Sequence, residues 1–243
     1  MLFYLAFPLA ALLIKGSVPN ALAELSTESA REAIFLSLKT TVLSALFIAL
    51  FGTPLAYWIA RGKSRMRQLV ETFVEVPVAL PPAAAGVALL VAFGREGFWN
   101  LGASFTAAAV VMAQVFVSAP LFLRPSIGAL EQIPEELFES ARSDGAGPWQ
   151  SFSWVALPAA KRALFGGLVM AWARAAGEFG ATIIFAGNYP GRTQTMPLAI
   201  YLGFEVDLKE ALALAVLLLL VAAMGIIFAQ WVMRGSGEVE PKR

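Results

Sequence analysis

Charge is scarce in this chain of 243 residues, and the places where charged side chains gather at helical spacing are the places where chemistry is possible. Arg174 and Glu178 fall four apart inside the apolar run AWARAAGEFGATIIFAGN, and Glu71 and Glu75 repeat that interval. Glu131, Glu135, Glu136 and Glu139 precede Arg142 in the longest polar passage of the sequence. Side chains four apart share a helix face, so Arg174 and Glu178 can pair. Each would cost about 2.5–3.5 kcal/mol at the centre of a bilayer, so both must face the protein interior, a partner or water. Two readings stay open: an internal ion pair that fixes helix packing, or a lining position in a translocation path. An anion would meet the pair as nearly neutral, which is a poor site for tight binding, so tight recognition belongs elsewhere. Neither pair resembles a nucleophile with its base. The chain has no histidine and no cysteine, which excludes HExxH zinc sites, Ser-His pairs, histidine proton relays and thiol or iron–sulfur chemistry. It also lacks a GxxxxGK[ST] phosphate loop, so ATP-driven work requires a second chain to hydrolyse the ATP. No catalytic residue, metal, cofactor or nucleic-acid partner is expected.

The elements that must hold these residues are membrane helices. Hydrophobic residues make up 58% of the chain and charged residues 14%, with a mean hydropathy of +0.71, a membrane-embedded composition. Six spans are expected in one permease domain over 1–243, with the polar passage 131–158 between the fourth and fifth. Leu2 to Ile14 is apolar but short of the roughly 20 residues a span needs; without a Lys or Arg before Lys15 it reads as a first span rather than a signal peptide. The others run from about Ala33 to Ala60, Leu69 to Phe93, Ala103 to Leu123, Leu164 to Gly187 and Ala211 to Met233. Pro77, Pro81 and Pro82 break the third, and a broken helix is tolerated where neighbours or a water-filled cavity satisfy the freed carbonyls. It lines a pathway or it is a packing kink. Gly177 and Gly180 allow tight approach beside Arg174 and Glu178. With both termini inside, the inner segments hold Arg61, Lys63, Arg65, Arg67, Arg124, Arg142, Lys161, Arg162, Arg234, Lys242 and Arg243. The outer segments hold Lys15, Arg31, Arg95, Arg192 and Lys209. That bias predicts an N-in, C-in topology, with Gly94 to Gly102 and Asn188 to Glu210 as outer loops and a flexible, charged tail.

The polar passage, EQIPEELFESARSDGAGPWQSFSWVALP, must lie in water yet carries a fold of its own. Leu137, Phe138 and Ala141 fall at helical spacing and Gly145 and Gly147 stop the run, which predicts a short amphipathic helix, a glycine turn and a second short helix from Pro148. Its acidic face disfavours a helix lying on lipid headgroups, where Lys and Arg are usual. Glu139-Ser140-Ala141, three residues, Gly145, nine residues, then Val155-Ala156-Leu157-Pro158 resembles the Glu-Ala-Ala…Gly…Ile-x-Leu-Pro loop of binding-protein-dependent ABC importer permeases. Ser140 departs from that pattern, a small-for-small change. The resemblance implies a type I ABC importer permease fold, all-α, in which this loop is a cytoplasmic coupling helix seated in a cleft of a separate ATPase.

A second set of residues narrows the resemblance. Gly177-Glu178-Phe179-Gly180-Ala181-Thr182, then Gly187-Asn188-Tyr189-Pro190-Gly191-Arg192-Thr193-Gln194-Thr195, Pro197 and Ile200-Tyr201, is similar to the permease subunits of molybdate transporters. The Gly-Glu-Phe-Gly part is shared with sulfate permeases, and with Gly52-Thr53-Pro54-Leu55-Ala56-Tyr57 the likeness extends over most of the chain after about residue 33. It implies an importer of molybdate or tungstate in the cytoplasmic (inner) membrane, not itself an enzyme. The implied partners are a second permease copy in a homodimer, a cytoplasmic ABC ATPase dimer, an extracytoplasmic oxyanion-binding protein and the lipid bilayer. Arg192 and Asn188 would help dock the binding protein. A sulfate/thiosulfate permease and a stand-alone secondary carrier are the alternatives; no internal repeat supports the latter.

Overall fold

The computed structural model describes residues 1–16, 21–62 and 64–235. Among them the chain is helical and contains no strand. The helices are α1 (Leu2–Lys15), α2 (Ala21–Glu24), α3 (Glu28–Arg61), α4 (Arg65–Ala79), α5 (Pro82–Phe93), α6 (Ala107–Glu131), α7 (Glu135–Ser143), α8 (Pro148–Gln150), α9 (Leu157–Ala176), α10 (Gly180–Phe185), α11 (Met196–Val206) and α12 (Leu208–Gly235), with a π-helical turn at Ser151–Ala156. Lys63, part of the first connector and the charged tail beyond Gly235 lie outside the described residues.

Four helical stretches are long and apolar enough to cross a membrane: Glu28–Arg61, Ala107–Glu131, Pro148–Ala176 and Leu208–Met233. Among the shorter helices, α1 is apolar but 14 residues long, about 21 Å at 1.5 Å per residue, against a hydrocarbon core of about 30 Å. The third expected span is not one kinked helix. The axes of α4 and α5 differ by 119° across the break at Leu80 and Pro81, so the chain turns back on itself there. Proline explains the site: Pro82 opens α5 at a position where its missing N–H is not needed, and the residue before a proline is pushed out of the helical region, where Leu80 has ψ 137° and Pro81 ψ 136°.

α6 is the centre of the bundle and packs between α3 and α9. Phe122 fills the middle: a Cβ on Gly52 of α3 would lie 2.9 Å from its ring, and one on Gly167 of α9 would lie 3.1 Å from its carbonyl oxygen. A buried polar layer ties α3 to α6, with Ser44 donating to Gln114 Oε1 (2.9 Å) and Gln114 Nε2 donating to Thr40 (3.2 Å). α6 runs to Glu131, further than hydropathy predicts, so Arg124 belongs to a helix and not to a loop. The ends are set by side chains: Thr27 accepts from the Ala30 N–H and Thr106 from the Ala109 N–H, each at 3.2 Å, capping α3 and α6. Thr27 also donates to Glu210 of α12 (3.1 Å).

Within Asn188 to Glu210, expected as the longest outer segment, Met196–Val206 folds as the apolar helix α11 against α12 and α3. One further expectation is corrected. The second short helix from Pro148 is not separate: α8, the π turn and α9 form one continuous stretch to Ala176. Pro158 has no N–H to donate four residues back, and the ladder opens just before it, with the Leu157 N–H bonded to the Phe152 carbonyl five residues back.

Candidate functional site: an acidic helix and a two-break groove

α7 follows from its sequence. Pro134 sits at the N-cap, and Glu135 and Glu136 occupy the first turn, where carboxylates complement the helix dipole. Arg142 is in the last turn, and Gly145, with φ +88°, closes the helix. The Ala146 N–H bonds to the Ala141 carbonyl (2.9 Å) and the Gly145 N–H to the Arg142 carbonyl (3.0 Å), a left-handed cap that glycine adopts without steric cost. Phe138 is buried on one face while Leu137, Glu136, Glu139 and Ser140 are exposed on the other, with Ala141 half-buried. Leu157 and Pro158 are exposed in the first turn of α9, and Trp149 and Trp154 stand exposed alongside. α7 thus presents an acidic, largely exposed outer face while Phe138 anchors its inner face to the bundle.

What fastens α7 to the bundle was not evident in the sequence. Arg61, the last residue of α3, stacks 3.9 Å over the Phe138 ring. It also donates to Glu135 Oε2 and to the Ile133 carbonyl (3.4 Å), at a cavity of about 270 Å³. Arg142 reaches the other oxygen of Glu135 at 2.9 Å. In α4, Arg67 pairs with Glu131, the last residue of α6.

The charged pair is placed differently from the sequence expectation. α9 ends at Ala176, and Glu178 lies in the break before α10, so the two residues do not share a helix face. Glu178 is buried, accepts the Ala181 N–H at 2.8 Å through Oε1 and holds Oε2 2.7 Å from Arg174 Nη1. The carboxylate therefore caps α10 and neutralises Arg174 at once. Gly180 lies where the second break meets the first, since a Cβ there would be 2.6 Å from Pro82 Cβ. Gly86 of α5 is equally tight against the Ala181 carbonyl at 2.8 Å. Gly177 makes no such approach, its nearest neighbour being the Ala173 oxygen at 4.0 Å, which corrects its expected packing role.

Arg174 lines two spaces. One is a groove of about 1030 Å³ between α4, α6 and α9, lined among others by Gln68, Glu71, Thr72, Glu75 and Arg124. The other, about 140 Å³, lies at the break beside Pro77, Leu80 and Pro82. Arg124 Nε is 3.7 Å from Glu75 Oε1, so both arginines on the groove have carboxylate partners. Pro77, Pro82, Arg174, Glu178 and Gly180 are thus gathered at one place, whereas Gly177 contributes only the chain break. Asn188 and Arg192 sit apart from it in a turn built on Gly187 (φ +75°) and Gly191 (φ +72°). Asn188 donates to the Leu198 carbonyl (3.4 Å) and Arg192 is exposed. No group of His, Cys, Asp or Glu among the described residues is arranged to hold a metal.

A helical bundle with four stretches long and apolar enough to cross a membrane and one sharply bent helix pair defines a multi-pass membrane component. The chain belongs to the binding-protein-dependent transport system inner membrane component family, whose model matches residues 52–235. It is 37% identical over 231 residues to the molybdenum transport system permease protein ModB of Mycobacterium tuberculosis (92% of this chain, 88% of that protein). It is 34% identical over 222 residues to the ModB of Escherichia coli K12 (87% and 97%) and 36% identical to a probable transport system permease protein, NifC, of Clostridium pasteurianum (88% and 78%). Solved structures with this fold include a bacterial ABC transporter involved in the import of alginate, at TM-score 0.77 and 20% identity (98% of this chain, 92% of that one). The MetNI methionine ABC transporter matches at TM-score 0.67 and 20% identity (84% and 94%).

Proposed function

We propose that this chain is the permease subunit of an ATP-driven importer of molybdate, and of tungstate with it, in the inner membrane. The observation that carries the substrate is the likeness to the Escherichia coli molybdenum permease along 97% of that protein's length. The partners are a second permease copy in a homodimer, a cytoplasmic ATPase pair seated on α7, and an extracytoplasmic oxyanion-binding protein seated on the outer segments near Asn188 and Arg192. ATP binding closes the ATPase pair and displaces α7, and the broken helices reorient so that the groove opens outward; release of ADP returns it. In this reading Glu139, Ser140, Ala141, Gly145, Leu157 and Pro158 serve coupling, and Arg174, Glu178, Gly180 and the prolines Pro77, Pro81 and Pro82 shape the path. Because Arg174 is already neutralised, the path holds the anion weakly and lets it go, and selection rests with the binding protein.

The test is uptake of labelled molybdate at nanomolar concentration by cells whose only copy is wild type, Gly145→Val or Gly145→Asn. A Cβ at Gly145 meets nothing of this chain within 4 Å, so within the chain the substitutions act through the backbone, at about 1–2 kcal/mol for an ordinary residue forced left-handed. Asn tolerates that conformation and a β-branched residue does not. Gly145→Val is expected to abolish uptake while the protein still inserts, Gly145→Asn to retain it, and wild-type uptake to yield to excess tungstate but not to sulfate. Suppression by sulfate would move the chain to a sulfate/thiosulfate permease, and normal uptake by Gly145→Val would remove α7 from the coupling role.

A further inference from the structure

Arg61 and Arg67 flank the turn between α3 and α4, and both reach across to the joint between α6 and α7. That joint is three residues long, Gln132 to Pro134. Arg67 pairs with Glu131 on its α6 side and also donates to the Gly62 carbonyl (2.9 Å). Arg61 takes the α7 side through Glu135, the Ile133 carbonyl and the face of Phe138. Exposed ion pairs contribute little by themselves. These arginines, however, are only 20% and 22% exposed, and Arg61 adds a stacked ring and a backbone acceptor to its ion pair, a geometry that a flexible lysine would not reproduce. Arg65, between them in sequence, is exposed.

We infer that Arg61 and Arg67 form a two-point strap that converts displacement of α7 into movement of α3 and α4, making them positioning residues for transport. The inference rests on the reading of α7 as the coupling element. Rotation of α7 about its three-residue joint pulls on the α3 end through Arg61, and Arg67 passes that pull to α4 through the Gly62 carbonyl while tying α4 to the end of α6 at Glu131. α4 is the wall of the groove that carries Glu71 and Glu75, and Arg67, bonded to the Gly62 carbonyl just past α3, joins that wall to the helix end that Arg61 ties to α7.

The experiment uses the whole transporter, with permease pair, ATPase pair and binding protein reconstituted in vesicles, and reads ATP hydrolysed per molybdate imported. Arg61→Gln and Arg67→Gln are each expected to raise that ratio at least about fivefold, the lower end of ordinary coupling free energies. Arg65→Gln, which removes the same charge from the same turn, is expected to keep the wild-type ratio. If Arg67→Gln fails to accumulate, Glu131→Gln breaks the same contact from α6 and is expected to raise the ratio likewise. A merely structural role would lower the melting temperature and leave the ratio unmoved. If all the strap variants match Arg65→Gln while Gly145→Val is uncoupled, the strap is wrong and α7 stands. If Gly145→Val also keeps the wild-type ratio, both fall together.

Discussion

Glu178 shows how one side chain can serve two elements. Its Oε1 caps α10 and its Oε2 faces Arg174, so the two functions separate on substitution. Glu178→Gln keeps an acceptor for the Ala181 N–H and loses the charge; Glu178→Ala loses both and leaves a buried N–H open, a cost of about 1–3 kcal/mol. In the purified transporter the melting temperature should fall in the order wild type, Gln, Ala, and the Gln variant should keep the preference for molybdate over sulfate. A large change of preference would mean that the path, not the binding protein, selects. The sequence made this pair visible because two charges in an apolar run are conspicuous. It did not reveal Arg61, which looks like any other member of a basic turn: its partner Glu135 is 74 residues away, and no spacing rule reaches that far.

Among the elements, helices that begin and end on strong local signals were legible. α7 was, because its apolar positions, its acidic first turn and Gly145 all agree. The break after Ala176 was not, since a hydropathy window of about 19 residues averages across it and Gly177-Glu178-Phe179 reads as a continuation of the span. α11 escaped for the opposite reason: at 11 residues it is too short to register as a span, so the stretch looked like loop. The pairing of α5 with α10 gives these breaks a test. Gly180→Val places a methine 2.6 Å from Pro82 Cβ, and overpacking of this kind typically costs about 1–3 kcal/mol, whereas Gly177→Ala enters open space. Thermal unfolding should show a clear drop for the first and little change for the second; equal drops would refute the packing assignment.

At the scale of the whole molecule, membrane character was readable from residue counts, while the 119° reversal between α4 and α5 was not, because three prolines announce a break without stating its angle. Vesicles containing this chain without the ATPase should import no molybdate above the leak of empty vesicles; substantial uptake would favour a stand-alone carrier. The reversal also gives α4 the mechanics of a hinged lever. Its pivot is the pair Leu80 and Pro81, and its far end is the one held by Arg67. With a length of about 22 Å, a tilt of about 10° swings the far end about 4 Å, and displacement dwindles in proportion towards the pivot. In such a tilt Gln68 and Glu71 would sweep widely, while Val78, which lines the groove with Arg174, would scarcely move. On the proposed reading such a tilt widens the groove as a wedge toward the inner side, where Arg67 lies, while the break beside Arg174 keeps its calibre, the inward-facing half of the cycle.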